Sequence, residues 1–168
     1  MKIISCRLKS VFFFLTIVTM LTSCTDPKTL LSAELDGFPN PNSTLLYEYS
    51  AVSSSATGDC SGTFMDRWYG TSINIEEIRE LFSNFFFENG WNIRLGEAVE
   101  TWSKKNKEGL YRAGLSTYTD PGAISQEQGS YRLPDSVLQD FTQHQTIYLL
   151  GMTFMYPRPA EKCFGNPD

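Results

Sequence analysis

Apolar and polar residues alternate from Leu45 to Val52, with Leu45, Tyr47, Tyr49 and Ala51 on one side and Glu48 and Ser50 on the other. That is the two-residue period of a half-buried strand. The alternation returns over Thr63–Tyr69, where Phe64 and Trp68 share a side with Asp66 between them; a carboxylate there has no local explanation. From Ile75 to Asn89 the period changes to that of a helix, with Ile78, Leu81, Phe82, Phe85 and Phe86 on one face and Glu76, Arg79, Glu80 and Ser83 on the other. Asn74 followed by Glu77 predicts a capped start, because both side chains can bond backbone N–H groups that lack helical partners. Gly90 followed by Trp91 predicts a left-handed C-terminal turn with an apolar side chain folded back over it.

Glu97–Lys104 and Leu110–Thr119 read as a β-hairpin joined through Lys105–Gly109, whose glycine permits the turn. Asp120-Pro121-Gly122 breaks the pattern, and the polar stretch as far as Leu133 is expected to be a mobile loop. Pro134 and Asp135 open a short helix with Val137, Leu138 and Phe141 on one side. Thr146–Tyr156 is almost wholly apolar and rich in strand formers, as in a central strand covered on both faces, and Pro157 and Pro159 stop it. The expected fold is therefore α+β: an antiparallel sheet of about five strands with one long and one short helix packed mainly on one face, a two-layer sandwich. Residues 44–168 form the single domain of this reading, and an aromatic content of 14% supplies bulky material for its core. The turn-rich stretch 24–43 is expected to be a tether spanning roughly 25 Å as free coil. Leu30, Leu31, Leu35 and Phe38 within it are apolar enough for a short docking turn.

The start of the chain has a different logic. Lys2, Arg7 and Lys9 precede an apolar run from Val11 to Leu21 and a polar exit at Thr22-Ser23, the layout of a secretory signal. The run falls well short of the roughly 20 residues needed to span a bilayer. Ordinary cleavage fits poorly, because Leu21 occupies a position that wants a small residue. Leu21-Thr22-Ser23-Cys24 resembles the lipobox of bacterial lipoproteins, a resemblance confined to residues 1–24. It implies removal of 1–23, a diacylglyceryl thioether and usually an N-acyl group on Cys24, and a domain outside the cytoplasm in the cell envelope. Thr25 in place of aspartate would favour the outer membrane in an organism that has one. Several acyl chains on one residue hold stably where one does not.

Export changes the reading of the other cysteines. Cys6 leaves with the signal and Cys24 carries lipid, so Cys60 and Cys163 remain, an even number in an oxidising compartment. A disulfide between them would close a loop of about a hundred residues, with an upper contribution of about 4 to 5 kcal/mol; the alternatives are two reduced buried thiols or a metal pair, and the latter is poor because no His or Cys lies near either one in sequence.

The chain carries a net charge of −5, and loss of the three basic residues of the signal takes it further negative. An acidic domain has no electrostatic drive toward nucleic acid or anionic lipid head groups. Lys104, Lys105 and Lys107 form the only basic cluster and fit a solvated hairpin tip. His144 is the only histidine, so a histidine-rich metal site cannot be built. Gly58-Asp59-Cys60-Ser61-Gly62 has the glycines of a nucleophile turn but lacks the strand before it and the helix after it. No catalytic, metal or cofactor residues are assigned. The leading expectation is a non-catalytic envelope lipoprotein that binds another envelope protein or ligand through an open sheet face or the 121–133 loop, with Tyr118, Tyr131 and Tyr156 as contacts. The alternative is a small carboxylate-dependent hydrolase, for which Asp66 is the pointer.

Overall fold

The computed structural model describes residues 26–54, 61–94, 100–106 and 109–155. In chain order its elements are α1 (Pro27–Asp36), β1 (Thr44–Ser54), β2 (Ser61–Thr71), α2 (Ile75–Glu88), β3 (Asn92–Arg94), β4 (Glu100–Lys105), β5 (Leu110–Tyr118), β6 (Glu127–Gln128), β7 (Tyr131–Arg132), α3 (Asp135–Phe141) and β8 (Thr146–Met155). The main sheet has six strands in the order β1-β2-β8-β5-β4-β3, every neighbouring pair antiparallel. The α+β class and the antiparallel sheet agree with the pattern in the sequence.

β8 lies inside this sheet, and its unbroken apolar character follows from cover on both sides. Tyr148, Leu150, Met152 and Phe154 enter the larger core, while Ile147 and Leu149 join a second cluster. The larger core fills the first face, under α1 and α2. Ile78, Phe82 and Phe86 are fully buried, and Phe86 stacks on Trp102 of β4 at 4.1 Å between ring centroids. Both ends of α2 are capped, although Glu77 Oε1 accepts from Asn74 Nδ2 at 2.7 Å and not from a backbone N–H. Asn74 accepts a hydrogen bond from the Glu77 backbone N–H at 2.9 Å, and Gly90 takes a φ of +72° so that the Trp91 N–H can donate to the Phe86 carbonyl.

Several features depart from the sequence reading. β3 is a sixth strand, three residues long, paired with β4; so short a segment has no period to detect. The stretch 24–43 holds a third helix. α1 is capped by Asp26, and Leu31, Leu35 and Phe38 are buried in the larger core, so the packed structure begins near Asp26 rather than at Thr44. The cause is a guanidinium that the pattern could not place. Arg67, 7% exposed, donates from Nη1 to Asp36 Oδ1 at 2.7 Å and from Nη2 to Ser32 Oγ at 2.9 Å, and its Nε donates to Glu48 Oε2 at 2.8 Å. Burial alone would weaken its charge, but the bonds to Asp36 and Glu48 outweigh that and hold its pKa above the ordinary arginine value.

The short helix α3 does not share a face with α2. Val137 and Phe141 pack with Trp68 and Ile147 in the second cluster, on the opposite side of the sheet, so that end of the molecule has three layers. The stretch expected to be a mobile loop is ordered beside α3: a 3-10 turn at Pro121–Ala123, capped by Asp120, leads into the β6–β7 pair, and Ile124, Tyr131 and Leu133 are buried. Its polar composition hid three apolar anchors spaced too irregularly to show a period.

Candidate functional site

The second face of the sheet is built by alternation. On β2 the odd positions Met65, Arg67 and Tyr69 turn toward α1 and α2, leaving Phe64, Asp66 and Trp68 on the other side, as the sequence pattern required. Register sets their neighbours. Asp66 pairs with Tyr49 on β1 and with Gly151 on β8, and Gly151 pairs with Gly114 on β5. In the next row Phe64, Thr153, Arg112 and Ser103 stand side by side.

Gly114 and Gly151 face each other on neighbouring strands, so among the described residues these two positions add no side chain of their own to the middle of this face. The result is a depression of about 320 Å³ floored by Gly114 and Gly151 and bordered by Thr101, Arg112 and Thr153. At the β2 side the Asp66 carboxylate leans over Gly151; a Cβ added there would lie 2.8 Å from Asp66 Oδ1. Tyr49 and Phe64 stand beyond it, their rings 5.8 Å apart. A smaller space of about 150 Å³ lies where α1 meets the sheet, lined by Asp36, Arg67, Tyr69 and Tyr148. Arg67 already bonds Asp36 and Tyr69 there, so that space belongs to the joint that holds α1.

Asp66 is the oddity of the sequence, and the structure gives it partners. Trp68 Nε1 donates to the Tyr131 hydroxyl at 2.8 Å, and Tyr131 in turn hydrogen-bonds Asp66. The ring of Tyr131 stacks on Tyr49 at 4.2 Å. Burial raises the Asp66 pKa, and the Tyr131 hydrogen bond only partly offsets this. Burial likewise raises the Tyr131 hydroxyl, which stays neutral at physiological pH.

A raised carboxyl pKa has a definite sign for stability. The folded state holds the proton more tightly than the unfolded chain, so the contribution of Asp66 is most favourable below the unfolded aspartate value of about 3.9 and is lost as pH rises through the higher folded value. Asp66→Asn is therefore expected to raise the melting temperature at pH 7 by a few degrees, since an amide oxygen can still accept from Tyr131. That advantage should shrink toward nothing near pH 3. Thermal unfolding of both proteins across this range checks it, and a loss of stability at pH 7 would show that the charged carboxylate is needed in the fold.

The expected contact residues fare differently. Tyr131 is 9% exposed and belongs to the second core, so it is a structural partner of Trp68 and Asp66 and not an open contact. Tyr118 is half-buried and stacks on Trp68 at 5.8 Å. Tyr156, Cys24, Cys60 and Cys163 lie outside the described residues. His144 is half-buried against the backbone of Gly70, where an added Cβ would fall 2.3 Å from its ring. Lys104, expected at a solvated tip, reaches Glu34 of α1 at 3.5 Å and sits 5.7 Å over the Trp91 ring. The residues that sequence reasoning missed are Arg112, Thr153 and the two glycines. Gly114 and Gly151 each interrupt a strand pattern, which is the available signal of close approach on a sheet.

Fold and site together define an α+β protein on a six-stranded antiparallel sheet, with a glycine-floored polar depression on one face. No family model, curated protein or solved structure matches the chain. Among the described residues no group of His, Cys, Asp and Glu side chains is placed to hold a metal, and no helix is long and apolar enough to cross a membrane.

Proposed function

We propose that this chain is a lipoprotein of the bacterial cell envelope, acylated on Cys24, whose domain binds another envelope component in the depression on the second sheet face. The anchor rests on the signal layout and the lipobox resemblance at Leu21–Cys24. The observation that carries the binding role is the depression floored by the paired Gly114 and Gly151, bordered by Thr101, Arg112 and Thr153 and flanked by Tyr49 and Phe64. Such a surface offers flat contact with a few polar groups to fix orientation. Recognition suits it better than hydrolysis. A two-carboxylate mechanism needs a second acid facing the first, and the side chains that border the depression are those of Thr101, Trp102, Arg112, Ala113 and Thr153.

The test uses the full chain in its own envelope, with a photo-reactive amino acid at Thr153 or, as a control, at Glu80 on the exposed face of α2. Irradiation is expected to give a discrete adduct from Thr153 and none from Glu80. Equal labelling at both positions, or none at Thr153, would remove the depression as the binding site. The mass of the N-terminal peptide tests the anchor separately, and an unmodified Cys24 would refute it.

A further inference from the structure

We infer that the bilayer holds the domain through α1 itself, with the first turn of that helix at the level of the lipid head groups; this rests on acylation of Cys24. Chain length sets the distance. α1 starts at Pro27 with Asp26 as its N-cap, and consecutive Cα atoms are 3.8 Å apart, so Cys24 lies at most about 8 Å from Asp26. The head-group layer on one side of a bilayer is itself about 6 Å thick. No slack remains for a tether.

The helix cannot supply that slack by peeling away. Leu31 is fully buried and Leu35 nearly so, and Arg67 grips Ser32 and Asp36 from inside the sheet. Glu34 meets Lys104 of β4 on the other flank. α1 is thus a rigid part of the domain, and the acyl chains fix where its start must be. The chemistry of that start suits a lipid surface. Asp26, Lys28 and Thr29 are all exposed at that start, so its charges balance and it meets no net repulsion at an anionic lipid surface, unlike the acidic faces elsewhere. Removal of residues 1–23 takes Lys2, Arg7 and Lys9 and leaves the acylated chain with 11 basic against 19 acidic residues, a net charge of −8, so the other faces are on balance repelled. Orientation follows from both effects: the helix start faces the membrane, and the depression on the far side of the sheet from α1 is left open to the aqueous compartment.

The experiment compares two forms of the full chain, made in a host that acylates lipoproteins and reconstituted into vesicles carrying a head-group acceptor dye. Both have a fluorescent amino acid at Thr29. One is otherwise unaltered, and the other has about 20 Gly and Ser residues inserted between Thr25 and Asp26, worth roughly 25 Å of coil. Energy transfer to the dye is expected to fall by about twofold or more in the insertion form. Equal transfer in the two forms, with Cys24 acylated in both by mass, overturns the close seating and leaves the anchor standing. A chain whose Cys24 carries no acyl group overturns both.

Discussion

Phe86→Ala is expected to lower the stability of the domain by about 4 kcal/mol, the upper range for emptying a fully buried aromatic site. Phe86 is the residue on which the first core converges. It is 0% exposed, stacks on Trp102 at 4.1 Å, meets Phe38 and Trp91 edge-on at 5.1 Å each, and touches Phe82 and Phe85 on its own helix. Those rings come from the exit of α1, from α2, from the turn after it and from β4, so no single neighbour can move to fill the space without breaking another contact. Domains of this size have total stabilities of about 5 to 15 kcal/mol. The variant should therefore be close to unfolding at 37 °C. Urea unfolding monitored by tryptophan fluorescence measures it, through a lower midpoint at an unchanged slope. A change below about 1 kcal/mol would mean that the ring cluster repacks freely and is not the centre of the fold.

Arg67→Met is expected to cost about 2 kcal/mol and to loosen α1 selectively. A fully buried ion pair that loses one partner costs about 3 to 5 kcal/mol. Here the side chain of Asp36 is 65% exposed and that of Glu48 is 33% exposed, so both carboxylates recover much of their hydration and the cost is smaller. The distinguishing readout is hydrogen exchange. Amides of α1 should exchange much faster in the variant while those of β8 keep most of their protection, because Arg67 joins α1 to β1 and β2 but the centre of the sheet does not depend on it. Arg67→Lys should fail to restore α1, since one ammonium cannot meet Ser32, Asp36 and Glu48 in the geometry of a planar fork. Uniform loss of protection across the molecule would show that Arg67 supports the whole sheet and has no special hold on the helix.

Much of the fold was legible because period is a local property. The 3.6-residue spacing of Ile78, Phe82 and Phe86, with Asn74 and Gly90 at the two ends, specified α2 almost to the residue. The continuous apolar run at 146–155 specified a strand covered on both faces. Other elements have no such signature. α1 is a helix of weak amphipathic character, held by Leu31, Leu35 and a guanidinium thirty-odd positions along the chain. The buried residues of 119–133 are scattered among polar ones, and what orders them is Trp68 beneath Tyr131. The candidate site was half visible. Asp66 stood out as a carboxylate on an apolar strand face, but Gly114, Gly151, Arg112 and Thr153 become a surface only when β2, β8 and β5 lie side by side in one register.

The sequence by itself determined the α+β class, the long helix with its caps, the alternation that puts Asp66 beside Phe64 and Trp68, and the central place of the last strand. Each follows from neighbours within a few positions, where hydrogen-bond geometry and hydrophobic spacing leave few alternatives. The tertiary structure alone decided that 27–38 belongs to the core, that the two later helices lie on opposite faces, and that two glycines meet to open a depression. Those outcomes depend on contacts between residues far apart in the chain, for which a linear pattern carries no period.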